Sequence, residues 1–166
     1  MKPTPDIRPA TREDARELLG LIRALADYEK LAHMVSTDEA MLERELFAPD
    51  SPAEALICRV DGEAVGMAIY CHNFSTFLGR KGLYLEDLFV KQEHRGRGYG
   101  KALLLATARI AHQRNCGRFE WMVLDWNTPS IRFYESLGAK RLDEWRLFRV
   151  TGEALEKLAG KSQGDA

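Results

Sequence analysis

Cysteine is scarce in this chain. Cys58, Cys71 and Cys116 are all there is, and they lie far apart. That spacing argues against a disulfide framework or a C-x-x-C metal knuckle. It fits reduced thiols in a cytoplasmic protein. No charge of one sign dominates: 24 Lys and Arg stand against 25 Asp and Glu, a net charge of -1. Nothing in that balance points to nucleic acid. No apolar run is long enough to span a bilayer. Met1–Asp6 lacks the apolar stretch of a secretory signal. Neither nucleic acid nor membrane is therefore an expected partner. His33, His72, His94 and His112 fall at no metal-ligand spacing, and no metal is expected.

What is present suits one globular domain. The chain has 166 residues, 45% of them hydrophobic, enough for a core that stands alone. A single domain is expected over residues 7–158, with flexible termini at 1–6 and 160–166. Ile7–Ala10 reads as a short strand. Thr11 with Asp14 three residues on is a capping-box variant. Ala15, Leu18, Leu19, Ile22, Leu25 and Ala26 then recur at helical spacing. A second helix is expected after Ser36, ended by Pro49, Ser51 and Pro52. Ala55–Val60 and Glu63–His72 flank Asp61-Gly62, a strong hairpin signal. Asn73–Gly82 reads as a loop and Leu83–Val90 as a third strand. Gly98–Asn115 reads as a helix with Leu103, Ala106 and Ile110 on its core side. Phe119–Asp125 is an expected strand. Thr128 is the expected cap of a helix that begins with Pro129 and ends at Gly138. Trp145–Val150 reads as a last strand and Thr151–Leu158 as a terminal helix. The order predicts an α/β (α+β) domain: a mixed central sheet with helices on both faces, containing one right-handed parallel crossover around residues 83–125.

One stretch carries more chemistry than the rest: Arg95-Gly96-Arg97-Gly98-Tyr99-Gly100-Lys101, entered from a strand and opening a helix. Three alternating glycines expose backbone N–H groups where a helix begins, a favourable place for phosphate. A dinucleotide fingerprint needs glycine at 101, where this chain has Lys101. A P-loop needs glycine at 95 and Ser or Thr at 102, where it has Arg95 and Ala102. A second segment is Asn127-Thr128-Pro129-Ser130-Ile131-Arg132-Phe133-Tyr134, closed by Gly138-Ala139. Read alone it is a capped amphipathic helix, with Asn127 and Ser130 as turn and cap residues and Tyr134 a core contact.

Together the two segments resemble the GNAT acetyl-CoA-dependent N-acetyltransferases, and the resemblance runs from Ile7 to about Leu158. Matches at Ile7–Thr11, Tyr28-Glu29, Tyr84–Asp87, Trp126-Asn127, Pro129-Ser130 and Trp145–Phe148 are similar to the diamine (spermidine/spermine) and thialysine acetyltransferases. The resemblance implies the GNAT fold, acetyl-CoA as co-substrate, a small primary amine as acceptor and a homodimer. It implies that Gly96, Gly98, Gly100 and Lys101, with Tyr99 between, form the pyrophosphate turn. Arg95 and Arg97 add charge there. Leu88, Phe89 and Val90 offer backbone to pantetheine, and Asn127 and Ser130 make further cofactor contacts. Glu86 collects the amine proton and Tyr134 hands its phenolic proton to the CoA sulfur. Tyr28, Glu29, Glu86 and Trp145 meet the amine. The chain departs from the animal polyamine enzymes at Ser75-Thr76-Phe77 and at Lys30–His33, where those enzymes carry further acids. Fewer acids suit a smaller amine or an amino-acid side chain.

The chemistry demands these residue types. An alkylamine has a pKa of about 10 and is almost wholly ammonium at neutral pH, so a base must free it. The thioester carbonyl needs polarising, and the leaving thiolate needs a proton. Glu86 and Asp87 stand mid-strand in an apolar run, where strict alternation puts them on opposite faces. A salt-bridged structural pair is the other reading of these two. Cys116 near a helix C-terminus is badly placed for an acyl-cysteine, which favours direct attack in a ternary complex. Two other functions stay open at this point: a non-catalytic acyl-CoA-binding sensor, and a protein N-acetyltransferase.

Overall fold

The computed structural model describes residues 4–160. The termini at residues 1–3 and 161–166 lie outside the described residues. The chain divides between Met122 and Val123 into two compact units.

The first unit holds five strands and three helices: β1 (Asp6–Pro9), α1 (Ala15–Tyr28), α2 (Glu39–Glu45), β2 (Ala53–Val60), β3 (Glu63–Ser75), β4 (Arg80–Val90), α3 (Tyr99–Gln113) and β5 (Phe119–Trp121). The strands pair in sequence order, antiparallel from β1 to β4 and parallel between β4 and β5. The β4–α3–β5 segment is the expected crossover. Asp61-Gly62 makes the first hairpin with φ of 50° and 84°, the left-handed pair that a two-residue turn requires.

One face of the sheet carries Ala55, Ile57, Met67, Ile69 and Phe89. They form a core with Leu18 and Leu21 of α1, against which Leu42 and Leu46 also pack. The opposite face takes α3. Its buried stripe is Tyr99, Leu103, Leu104, Thr107 and Ala111, with the expected Ala106 and Ile110 only partly buried. Leu103 lies over Gly66, where a Cβ would come within 3.1 Å of its Cδ1 and 2.7 Å of the Phe89 carbonyl oxygen. Helices thus cover both faces.

The N-terminal elements are locked by charge. Thr11 N–H donates to the Asp14 carboxylate at 2.8 Å. Asp14 also accepts a fork from Arg8 at 2.7 and 2.8 Å and a bond from Arg59 at 2.9 Å. The Arg8 hydrogen bonds come first among the causes that hold the Asp14 carboxyl well below the usual carboxylate range.

Several expectations are corrected. The cap of α2 is Asp38, which accepts from Met41 N–H at 2.7 Å. Asn73–Gly82 is no loop: β3 runs to Ser75 and β4 starts at Arg80, leaving a four-residue turn. β5 ends at Trp121.

The second unit holds α4 (Thr128–Ser136) and α5 (Gly152–Leu158). Asn127, not Thr128, caps α4, its side chain accepting from Ser130 N–H at 3.4 Å. Residues 145–150 form no strand: among the described residues they have no ladder partner, and β-rich composition alone cannot make one.

Candidate active site

The acidic end of the site is built by an irregularity in β4. Asp87 pairs with Ile69 and Leu85 with Tyr70, so Glu86 is an extra residue with no partner across the ladder. Such a two-for-one bulge breaks alternation. Leu85 shares the α3 face with Tyr70, whose ring lies under Arg114 at the end of α3. Asp87 shares the α1 face with Ile69 and Phe89. The expectation that Glu86 and Asp87 face opposite sides fails for this reason: the bulge interrupts alternation between them, and the Glu86 charge acts on both Asp87 and Cys71, residues of the α1 face.

The electrostatics agree. Burial, then the charges of Glu86 and Glu29, push the Asp87 carboxyl up to about 6. Burial also raises the carboxyl of Glu29, at the end of α1. Asp87 and Glu29 are part-buried and Glu86 is exposed. Asp87 is thus a part-buried carboxyl held beside two further acids, a seat that a bound cation relieves. Glu86 alone of the three is open to water.

The same bulge marks where β4 parts from β5. Their ladder covers Leu83–Leu85 and stops one residue short of Glu86. Leu88, Phe89 and Val90 follow with their side chains committed to the core: Phe89 and Val90 are buried and Leu88 is half-buried. What these residues can offer a ligand is therefore backbone.

Beyond Val90 the chain enters the glycine turn. Gly96 and Gly98 have φ of 72° and 92°, and the space where a Cβ would project is open at both. Gly98 caps α3, and the first intrahelical bond runs from Ala102 N–H to Gly98 O at 2.9 Å. The N–H groups before Ala102 have no intrahelical acceptor and point out of the helix end. Tyr99 is 2% exposed, so only its backbone serves this turn. The Lys101 side chain is exposed. The Arg97 guanidinium donates to Glu93 O at 3.2 Å. Arg95 behaves differently. Its guanidinium carbon lies 4.1 Å over the Tyr28 ring and 5.6 Å from the Phe89 ring, and its Nε donates to Val90 O at 3.0 Å.

The first unit thus brings together Tyr28, Glu29, Glu86, Leu88–Val90 and Arg95–Lys101. In the second unit, Asn127 is buried as the cap of α4 and Ser130 supplies the N–H it binds. Tyr134 is half-buried on α4, its ring 5.3 Å from that of Phe133. Trp145 is 71% exposed, so it is no core tryptophan.

Gly66 is the residue that sequence reasoning missed. A lone glycine inside a strand pattern is a signal of close backbone approach, and here the approach is to the Phe89 carbonyl. Glu63, Glu93 and His94 also gather, with ligand atoms within 4.8 Å of one another. Glu63 already pairs with the Lys91 ammonium at 2.6 Å.

Residues 12–139 match the Acetyltransferase (GNAT) family. The chain is 38% identical to thialysine N-epsilon-acetyltransferase from Sus scrofa, over 93% of this chain and 97% of that protein. It is 40% identical to L-ornithine N5-acetyltransferase from Arabidopsis thaliana, over 70% of this chain and 48% of that protein. Among solved structures it is similar to an integron cassette protein from the mobile metagenome of V. cholerae. That match has a TM-score of 0.80 and 27% identity, covering 93% of this chain and 97% of that one. The chain belongs to the GNAT family and is an N-acetyltransferase that moves an acetyl group to a small amine.

Proposed function

We propose that this enzyme takes acetyl-CoA and acetylates the side-chain amine of a lysine-, thialysine- or ornithine-like amino acid, with short diamines as secondary acceptors. The observation that carries the reading is the seat of Glu29, Glu86 and Asp87 on the α1 face of the β4 bulge. Its acids number three, enough for one ammonium and too few for a long polycation. Two relatives are named for amino-acid side-chain amines, N-epsilon of thialysine and N5 of ornithine.

The ammonium settles among the carboxylates and loses a proton to Glu86 through water. The neutral nitrogen attacks the thioester carbon, whose oxygen is polarised by backbone N–H of Leu88–Val90. The tetrahedral intermediate collapses with cleavage of the C–S bond. The Tyr134 hydroxyl gives its proton to the leaving sulfur and regains one from the attacking nitrogen, whose second proton must leave, yielding CoA and the neutral amide. Holding amine and thioester side by side supplies the advantage of an intramolecular reaction. The N–H groups of Gly96–Lys101 and the charges of Arg97 and Lys101 hold the pyrophosphate, while Asn127, Ser130 and Trp145 complete the cofactor and acceptor contacts. No metal takes part in these steps. The active unit is one domain over residues 7–158, supported by a family match that runs from 12 to 139. A homodimer in the cytoplasm suits the resemblance and the three unpaired cysteines; a monomer by sedimentation contradicts the dimer.

The test is CoA release from acetyl-CoA with lysine, thialysine, ornithine, putrescine, spermidine, spermine and a short peptide. The expected order of kcat/KM places the amino acids first and spermine last. A preference for spermine or for the peptide overturns the acceptor assignment.

A further inference from the structure

Arg95 opens the glycine turn, and its charge makes it an obvious phosphate ligand. Its side chain goes elsewhere. Nε is held by the Val90 carbonyl at 3.0 Å, which fixes the plane of the guanidinium. That plane covers Tyr28, with Cζ 4.1 Å from the ring centroid, and reaches Phe89 at 5.6 Å. Tyr28 is the last residue of α1 and Glu29 its C-cap. One side chain therefore joins the end of β4, where the cofactor backbone contacts lie, to the end of α1, where the amine seat begins. Arg95, Arg97 and Lys101 are all exposed, but of the three only Arg95 has its guanidinium over the Tyr28 ring.

We infer that Arg95 is a positioning residue for the acceptor, a strut that holds Tyr28 and with it Glu29 against the splayed end of β4. This rests on the proposed amine site and adds to it a residue that touches neither reacting group. The strut acts on the position of Glu29 and not on its charge. Burial is the cause of the raised Glu29 carboxyl, and Arg95 does not figure in it. A guanidinium over an aromatic ring is attractive through the ring quadrupole, and its planar shape stacks where an ammonium cannot. At the usual strength of such a contact, its loss corresponds to roughly 2- to 30-fold in an equilibrium constant.

The two roles separate in a double-mutant cycle on Arg95 and Tyr28. Wild-type turnover with the best acceptor is measured first, and absence of turnover there rejects the acetyltransfer reading and not the strut. The variants are Arg95→Gln, Arg95→Lys, Tyr28→Leu, Tyr28→Phe and Arg95→Gln/Tyr28→Leu. Each is assayed for amine KM and kcat, and for acetyl-CoA Kd by calorimetry, which needs no turnover. The strut predicts that Arg95→Gln raises amine KM about 2- to 30-fold and leaves acetyl-CoA Kd unchanged within error. Arg95→Lys fails to restore KM, because charge without the plane is not enough. Tyr28→Phe, which keeps the ring, keeps the coupling to Arg95. The double variant is little worse than the worse single variant. An acetyl-CoA Kd raised about tenfold or more in Arg95→Gln, with amine KM unchanged, makes Arg95 a phosphate ligand and overturns the inference. So does strict additivity of the two single effects.

Discussion

Replacing Asp87 by Asn should stabilise the protein above pH 7 and leave it unchanged below pH 4. Burial and the neighbouring charges of Glu86 and Glu29 raise this carboxyl from 3.8 to about 6. The folded state therefore binds more protons than the unfolded state between those two values. Stability falls as pH rises through that window and the loss is complete above about 6. A gap of about two pKa units corresponds to about 3 kcal/mol at most. Asn carries no charge, so it escapes that penalty while keeping the shape of the side chain. For a chain of this size each kcal/mol moves the midpoint of thermal unfolding by about 2–4 °C. The assay is the difference in midpoint between Asp87→Asn and wild type at pH 4, 5, 6, 7 and 8. The expected difference is near zero at pH 4 and rises to several degrees at pH 8. The gain should shrink when a saturating lysine-like amine is present, because the bound ammonium lowers the wild-type carboxyl back toward its ordinary range. A difference that is flat with pH, or negative at pH 8, refutes the reasoning. It would mean that Asp87 is stabilised as an anion by partners that offset its burial.

Three further outcomes follow from the same geometry. Asp14→Ala removes the carboxylate partner of Arg8 and one of the two partners of Arg59, which keeps Glu17, and empties an almost fully buried position. It should cost about 3–5 kcal/mol, read as a thermal midpoint lowered by roughly 10 °C; the wild-type contribution is present above the unfolded carboxyl pKa and is lost as pH falls toward the depressed folded value. Gly66→Ala puts a Cβ 2.7 Å from the Phe89 carbonyl oxygen, which no side-chain rotation relieves. It should destabilise by about 1–3 kcal/mol and weaken acetyl-CoA binding measured by calorimetry, because the β4 backbone at Phe89 and Val90 must shift. Tyr134→Phe removes the proton for the leaving thiolate, so kcat should fall about 10²- to 10⁴-fold with acetyl-CoA affinity retained.

The sequence made some features of the fold legible because their cause is local. Asp61-Gly62 supplies the two left-handed residues of a hairpin turn, and the capping box at Thr11 and Asp14 is a contact over three residues. Features that depend on a neighbouring strand were not legible. Gly79 and Gly82 made residues 73–82 look like a loop. Gly79 alone takes the left-handed turn, at φ 62°, whereas Gly82 lies inside β4. A Cβ on Gly82 would collide with Asn73 Oδ1, so this glycine marks a crowded cross-strand contact. The bulge at Glu86 is a matter of register, and register belongs to the pair β3–β4 rather than to either strand. That is why the acids could be chosen from sequence while their shared face could not. The glycine turn was legible because φ above zero needs glycine. The direction of the Arg95 side chain was not, since it is decided by a ring on α1 that is far away in sequence.

The central claim is that an exposed carboxylate on the β4 bulge frees the amine that attacks acetyl-CoA. The measurement that tests it most directly is kcat/KM of wild type and Glu86→Gln with the best small amine, paired with the acetyl-CoA Kd of both proteins. The account predicts a fall of about 10²- to 10⁴-fold in kcat/KM with the acetyl-CoA Kd within about twofold of wild type. A Glu86→Gln enzyme that turns over at the wild-type rate would contradict it.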